Sequence, residues 1–564
     1  MPGLQAAGTA PHRSPAGFPR FPSEQFARSV SEARSSAEIA QTIRGALLYL
    51  DDTQVRDRPG LHSPFYDYCR PEIRSCNGAN LNVAGEWASS IRFLPDRVGV
   101  GRAKISFQDS NAFVTAGILY PLYFIDDGRM PEDERLAENM RSIGAASLAE
   151  FKRGDAYNFW VQLNAQTSGA PKTGPLNIRI RQVQLGAMLI SYPLYPVWKV
   201  VTVGLDVDVD AWLRRVLNRS ENPHGFDSVF NIPNDADDTA IVVAIQKLHS
   251  ELQPQDRITP DLAALRLLTR HRDIGRARKD ARIKWRGNTD TGAYLTWLKD
   301  EDLGTFSDPE TGVIPLGVNN IDCVVNANAV FSLALNEAHG WPGFEDAKTM
   351  LRTITDSRAW RDACVLYYPQ LMMPPYTLAR AYRDGQLSDD PAMRQTMGIL
   401  LRDLLEMQRK DGSFPGGKDR TRHLSTALAT SALINIGASI ADQHGLFDDY
   451  QLALDRAVGY LVSSRRPHRL MFSGGGPSGG GGPAEDYGYK WASGLFFAGS
   501  YRDLAHWHSQ PYTTAIVLEA LVKYALAYDL TESTVLTGKR WRVQSYHLPG
   551  AEVSGKQESS SRTR

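Results

Sequence analysis

The chain has 564 residues, 42% hydrophobic and 22% charged, and its 63 basic residues are balanced by 63 acidic ones. This composition is typical of a globular protein of two or three domains, and the lack of a basic excess argues against nucleic-acid binding. No run of about 18 apolar residues occurs, which excludes a spanning helix but leaves peripheral membrane contact open. The four cysteines are few and scattered, so we expect no disulfide framework and a cytoplasmic location.

The N-terminal part combines a polar leader, helices and a β-leaning segment. Residues 1–35 are rich in Pro, Ser, Ala and Arg without an apolar run of signal-peptide length, so we expect a disordered leader. Within the N-terminal region 36–230, residues 38–50 have helical apolar spacing, and a further apolar helix follows polar residues near 111. Short β-branched runs broken by Gly and Pro predict strands or extended loops at about 155–210. The alternating aspartates of 206–210 favour an exposed strand over a calcium loop.

Three aspartates precede an apolar helix near the middle of the chain. Asp235, Asp237 and Asp238 stand directly before the apolar residues 240–248. Asp is common at helix N-caps, so capping alone is one explanation. Three adjacent carboxyls in a dry site cannot all ionise cheaply, however, and one of them is then expected to hold a proton near neutral pH. Such a group is a Brønsted acid.

Similar helix starts recur after this cluster. Small polar pairs open apolar helices at Thr239, Thr291, Asn326, Thr377, Thr426 and Thr514, and three of the five intervals are 49 to 52 residues long. A period of this length fits one helical hairpin per repeat. We therefore predict a mainly α protein, with an α/α toroid over 231–535, a smaller N-terminal region with some β structure and a partly disordered tail at 536–564. The period alone fits an open solenoid equally well.

Two motifs resemble those of a known family. The order D-x-D-D-T-A at residues 235–240 resembles the protonation motif of class II terpene cyclases of the squalene-hopene and copalyl-diphosphate type. The run Q-R-K-D-G-S-F at 408–414 resembles a signature of terpene cyclases and protein-prenyltransferase β subunits. The resemblance favours a closed toroid and implies an isomerase- or lyase-type cyclase of a linear isoprenoid. In that family the middle aspartate, here Asp237, donates the proton that starts cyclisation, and Asp235 and Asp238 support it. No cofactor is implied, except Mg²⁺ if the substrate is a diphosphate.

The inner helices of a toroid begin at one end of the ring, so polar and aromatic residues at their starts are predicted to be neighbours around a cavity. One of His423, His506 or His508 could orient Asp237 by hydrogen bonding. Aromatic faces could stabilise carbocations, although core packing is their commoner role. The predicted substrate-binding residues are Tyr294, Trp297, Asn326, Tyr376, Trp507 and Tyr512, and no metal ligands are predicted.

Two other functions fit the same pattern. Toroids also carry acid pairs that cleave glycans, as lyases or hydrolases, in which case Asp237 or Asp238 would act with Asp290 or Asp322. Alternatively, the ring is a non-catalytic binding module, and its acids are solvated caps with ordinary pKa values. The partner expected under the cyclase hypothesis is a small isoprenoid rather than a nucleic acid, and the sequence does not determine the oligomeric state.

Overall fold

The computed structural model describes residues 36–56, 83–93, 106–125, 131–163, 172–173, 232–276, 290–299, 314, 319–364, 366–417, 421–470, 487–498, 505–527, 534–536 and 539–541. The predicted leader, the aspartates of 206–210 and most of the predicted β-leaning segment lie outside these residues. Within the described residues, none of the helices has the length and apolar character needed to cross a membrane.

Helices dominate the described residues. They are α1 (Ser36–Thr53), α2 (Ala112–Leu122), α3 (Pro131–Ser147), α4 (Ala236–Leu252), α5 (Leu262–Leu267), α6 (Cys323–Leu335), α7 (Phe344–Asp356), α8 (Trp360–Ala363), α9 (Met373–Arg383), α10 (Pro391–Met407), α11 (His423–Ile436), α12 (Ala438–Gln443), α13 (Phe447–Ser463) and α14 (Gln510–Ala527).

The strands are short. They are β1 (Ser89–Phe93), β2 (Ser106–Asp109), β3 (Lys152–Arg153), β4 (Ala156–Tyr157), β5 (Gln162–Leu163), β6 (Lys172–Thr173), β7 (Arg466–Arg469), β8 (Tyr487–Lys490), β9 (Gly494–Ala498), β10 (Ala505–Ser509), β11 (Thr534–Leu536) and β12 (Lys539–Trp541). Strands β4 to β6 fall in the segment where β structure was predicted.

Six helices form a closed inner ring. In the order α2, α4, α6, α9, α11 and α14, each helix packs against the next, and α14 packs back on α2. These helices are buried on nearly all sides, and in α11 every residue is buried, as expected for helices that are apolar all round. The contact between α14 and α2 excludes an open solenoid. The predicted mainly α toroid is therefore confirmed.

A second layer of helices surrounds the ring. Helices α1, α3, α5, α7, α10 and α13 pack on α14, α2, α4, α6, α9 and α11 respectively. They are amphipathic: α7 buries Phe344, Ala347, Leu351 and Ile354, which recur at helical spacing, and leaves its other face to solvent. Because α1, α2 and α3 belong to these layers, the ring draws its helices from both sides of the domain boundary predicted at residue 231.

A four-stranded antiparallel sheet lies at the end of the ring where the inner helices begin. Its strand order is β2-β1-β10-β9, and Ile91 of β1 stands opposite Trp507 of β10. Strand β2 ends shortly before α2, and β10 runs directly into α14. The rings of Phe113 at the start of α2 and Tyr512 at the start of α14 are 5.8 Å apart, which places both helix starts at this end. We call this end the mouth of the ring.

A disulfide joins Cys323 and Cys364, whose Cα atoms are 5.2 Å apart across 41 positions of sequence. It links the first residue of α6 to the segment that follows α8. The sequence predicts no disulfide framework, and it gives no indication of this single bond. The two residues meet because α7 and α8 fold back along α6, a tertiary contact that cysteine spacing does not encode.

Candidate active site

Asp235 alone of the three aspartates caps a helix. It is the N-cap of α4, has an extended backbone (φ −119°, ψ 158°), and its Oδ1 accepts the Asp238 N–H at 2.6 Å. The segment beside it is fixed by the Ala236 N–H, which donates to the Thr296 carbonyl at 2.8 Å. The predicted capping role is thus met by one carboxyl, and the side chains of Asp237 and Asp238 are left for other contacts.

Asp237 is a buried carboxyl with two polar side-chain partners. It is 3% exposed. The Asn328 amide donates to its Oδ1, and the Tyr368 hydroxyl contacts its Oδ2. Burial raises the pKa of Asp237 well above its ordinary value, and the neighbouring Asp235 and Asp322 charges raise it further. These effects favour the protonated form of Asp237.

The position of that proton follows from the orientation of Asn328. Arg380 donates from Nη2 to Asn328 Oδ1, and a guanidinium has donors only, so the amide N–H groups of Asn328 must face Asp237. Oδ1 of Asp237 is then an acceptor, and the acid proton belongs on Oδ2. There it can be donated to the oxygen of Tyr368, because a phenol hydroxyl both donates and accepts.

Asp235 and Asp238 share a hydrogen bond between carboxyls, which requires a proton on one of them. Burial and the Asp235 charge raise the pKa of Asp238 well above its ordinary value. Burial also raises the pKa of Asp235, to about 6, although its hydrogen bonds from Asp238 and Asp237 oppose the rise. Asp235 is thus the member of the trio that ionises at neutral pH. The solvated caps with ordinary pKa values expected for a non-catalytic ring are not present.

Oppositely charged side chains are paired inside the ring. Lys523 donates to Asp384 Oδ2 at 2.9 Å and lies 2.9 Å from Glu519 Oε1, and all three side chains are buried. Arg380 is also buried, and the Glu519 charge acts on it. A buried charge without a partner is costly, and a neutral Asp237 adds no further negative charge to this group.

Aromatic side chains cover the mouth of the ring next to Asp237. Tyr368 reaches Asp237 with its hydroxyl, and its ring lies 5.8 Å from that of Phe497 and 5.5 Å from that of Phe113. Neighbouring ring centroids in this group are 5.0 to 6.2 Å apart, distances typical of attractive ring pairs. We call the group the aromatic cluster, and its members are Phe113, Phe159, Trp160, Trp297, Tyr367, Tyr368, Phe496, Phe497, Trp507 and Tyr512.

Half of the predicted substrate-binding residues belong to this cluster, namely Trp297, Trp507 and Tyr512. Tyr376 lies deeper in the ring, where its hydroxyl donates to Glu519 at 2.7 Å. Tyr294 and Asn326 pair with each other instead. The Asn326 side chain accepts the Tyr294 N–H at 2.9 Å and donates to its carbonyl at 3.0 Å.

The hydrogen bond predicted from His423, His506 or His508 to Asp237 is not formed, because the side-chain partners of Asp237 are Asn328 and Tyr368. His423 begins α11 and lies against Tyr460, with ring centroids 5.9 Å apart. His508 lies on β10, where it is paired with Ser90 and Leu495. Among the described residues an amide and a phenol, Asn328 and Tyr368, occupy the position proposed for a histidine. Asn328 falls near a predicted helix start, but nothing in the sequence around Tyr368 signals this contact.

The carboxyl pair required for glycan cleavage is present only in part. Asp322 is buried near Asp237, and burial raises the pKa of Asp322 to about 6. Asp290, the other proposed partner, is exposed and accepts the Gly275 N–H at 2.6 Å. In the part of the chain that the structure describes, no group of three or more His, Cys, Asp or Glu residues is arranged to hold a metal ion.

No family model and no curated protein matches the sequence. Among solved structures, the chain is similar to the type II terpene cyclase MstE from Scytonema, at 12% identity and a TM-score of 0.43 over 87% of this chain and 99% of the cyclase. A variant of that cyclase in complex with geranylgeranyl dihydroxybenzoate, its substrate, matches with the same values. The ent-copalyl diphosphate synthase from Streptomyces platensis is 13% identical at a TM-score of 0.33, over 73% of this chain and 50% of the synthase.

Proposed function

We propose that the protein is a class II terpene cyclase-like enzyme that starts the cyclisation of a linear isoprenoid by protonating it. The observation that carries the proposal is the state of Asp237, the middle acid of the D-x-D-D motif. It is buried, its pKa is raised well above the ordinary value, and its Oδ2 adjoins the aromatic cluster through Tyr368. A neutral carboxyl beside aromatic faces is what protonation of an alkene needs.

The reaction then follows from the positions of these groups. Asp237 transfers the Oδ2 proton to one carbon of a terminal double bond, whose π electrons form the new C–H bond and leave a carbocation on the other carbon. Hydrogen bonds from Asn328 and Tyr368 stabilise the carboxylate that remains, and Arg380 lies behind Asn328. Internal double bonds attack the cation in turn and close the rings. Loss of a proton ends the sequence and gives an isomer of the substrate.

The aromatic cluster stabilises the migrating cation and excludes water. Cation–π attraction is strongest at desolvated aromatic faces, and a dry site prevents early capture of the cation. Of the residues predicted from the sequence, Trp297, Trp507 and Tyr512 are assigned this role. The reaction needs no cofactor, and Mg²⁺ is proposed only as a companion of a diphosphate substrate. Peripheral membrane contact would suit a water-insoluble substrate, and the cytoplasmic location stays a prediction.

The test is turnover of candidate isoprenoids. The protein is incubated in D₂O with farnesyl, geranylgeranyl and squalene-type substrates, and the products are analysed by mass spectrometry. We expect a cyclic product carrying one deuterium from the initiating step, and no turnover by Asp237→Asn. The matched control is Asp411→Ala, which removes an exposed carboxyl that accepts hydrogen bonds from Ser413 in the turn after α10. It should lower stability and leave turnover in place. Equal turnover by Asp237→Asn, or release of reducing ends from polysaccharides instead, would overturn the proposal.

A further inference from the structure

Asp109 is a second fully buried carboxyl at the mouth of the ring, and the site predicted from the sequence did not include it. It ends β2 and is 0% exposed. Four hydrogen bonds reach it: to Oδ1 from the Trp160 indole (3.0 Å), and to Oδ2 from the Trp507 indole (3.0 Å), the Asn111 amide (2.9 Å) and the Ser89 hydroxyl (3.3 Å).

These donors fit the ionised form of Asp109. Indole and amide N–H groups can only donate, so a carboxylate satisfies them without a proton of its own. Oδ2 accepts three hydrogen bonds and Oδ1 accepts one, so Oδ1 keeps a lone pair for a further proton. Burial raises the pKa of Asp109 to about 6, against the effect of the four hydrogen bonds. The carboxylate is therefore the main form at neutral pH.

The aromatic cluster connects this anion to the acid Asp237. The ring of Trp507, which donates to Asp109, lies 5.0 Å from that of Phe497. Phe497 lies 5.8 Å from Tyr368, whose hydroxyl contacts Asp237. Two carboxyls whose surroundings keep one neutral and the other ionised are suited to opposite roles in proton transfer. One end of the aromatic surface can supply a proton, and the other can receive one.

We propose that Asp109 is the terminating base of the cyclisation, and that its Oδ1 accepts the proton lost by the last carbocation. The proposal rests on the proposed function. A C–H bond beside the cationic carbon breaks, its electron pair forms the product double bond, and the proton goes to Oδ1. Asp237 has then lost one proton and Asp109 has gained one, so exchange with water restores both. Substrate and product are isomers, and no oxidant or co-reactant is consumed.

The experiment compares product classes rather than rates alone. Asp109→Asn keeps the shape of the side chain but cannot act as a base. We expect it to go on consuming the substrate that the wild-type protein converts, with at least a tenfold lower ratio of cyclic alkene to cyclic alcohol, because water captures the cation instead. Ser89→Ala is the matched control: it removes one donor to Asp109 Oδ2, lies outside the aromatic cluster and keeps the carboxylate. It should lower thermal stability and leave the product ratio unchanged.

The outcomes separate this role from a structural one. If Asp109 only anchors the two tryptophans, Asp109→Asn and Ser89→Ala will both lose stability with the wild-type product ratio, which overturns the inference while the proposed function stands. If the wild-type protein converts no isoprenoid, both fail. If Asp109→Asn does not fold, Asp109→Glu takes its place, because it keeps the charge and moves the base by one carbon. A shift of the product double bond supports the inference, and an unchanged double bond overturns it.

Discussion

Asp322 allows the free-energy cost of a buried carboxyl in this site to be measured. It is 1% exposed, it is the N-cap of α6, and burial raises its pKa from the ordinary value of 3.8 to about 6. One pKa unit corresponds to about 1.4 kcal/mol, so this site lowers the free energy of unfolding by about 3 kcal/mol once the pH exceeds 6. Because the folded pKa is the higher one, stability is greatest below the unfolded pKa and is lost as the pH rises to 6.

Asp322→Asn should remove this pH dependence, because Asn caps a helix as well as Asp and does not ionise. Between pH 4 and pH 8, the free energy of unfolding of Asp322→Asn should rise by about 2.5 kcal/mol relative to that of the wild-type protein, which is most of the about 3 kcal/mol expected for complete ionisation. Denaturant unfolding at the two pH values measures the difference.

The control is Asp390→Asn at the start of α10. Asp390 lies 2.8 Å from Lys348. Partial burial acts to raise the pKa of Asp390, but hydrogen bonds, above all the one from Lys348, lower this pKa below its ordinary value. This variant should therefore lose stability relative to the wild-type protein as the pH rises, the opposite sign. If the free energies of unfolding of Asp322→Asn and the wild-type protein differ by the same amount at pH 4 and pH 8, burial does not raise the pKa of Asp322. The raised pKa values of the other acids in this site are then refuted as well.

Three further predictions concern the acid and its surroundings. Turnover should fall as the pH rises through the raised pKa of Asp237. Asp322→Asn should move that fall to lower pH, because it removes a nearby negative charge that raises the pKa of Asp237. A pH-rate profile that is flat, or identical for both proteins, would contradict this. Tyr368→Phe loses one hydrogen bond to Asp237, worth about 1 kcal/mol, and should reduce turnover about fivefold in steady-state assays, so wild-type turnover would show that the hydroxyl is dispensable. The double variant Cys323→Ser, Cys364→Ser should lower the free energy of unfolding by about 4 kcal/mol, as estimated for a loop of 41 residues, and a reductant should destabilise the wild-type protein but not this variant.

The sequence predicts what depends on local pattern. The polar starts of five inner helices and the acid Asp237 are each read from a few neighbouring residues, because caps and apolar spacing are local properties. The sixth predicted start, Thr291, was wrong, since it lies in an irregular segment. The partners of Asp237 are not local. Tyr368 is 131 positions away on an irregular segment after α8, where neither periodicity nor a motif marks it.

The sheet at the mouth was missed for a related reason. Its strands are four or five residues long, and β1 pairs with β10, so that Ser90 stands opposite His508. Strands this short show no clear alternation of apolar and polar residues. Strands β1 and β10 are far apart in the sequence, and they pair only because closure of the ring brings its first and last inner helices together. The same explanation holds for Asp109, whose donors Trp160 and Trp507 come from segments far apart in the sequence.

Closure of the ring also has a consequence for the order of folding. The junction between α14 and α2 is held by residues with very large sequence separations, such as Trp507 with Asp109, 398 positions apart, and Lys523 with Tyr120, 403 positions apart. Contacts of such high contact order form late. During synthesis the earlier hairpins can stack as they emerge, but the last inner helix must leave the ribosome before this seam can form. Asp109 therefore acquires its full set of hydrogen bonds only when nearly the whole chain has been made.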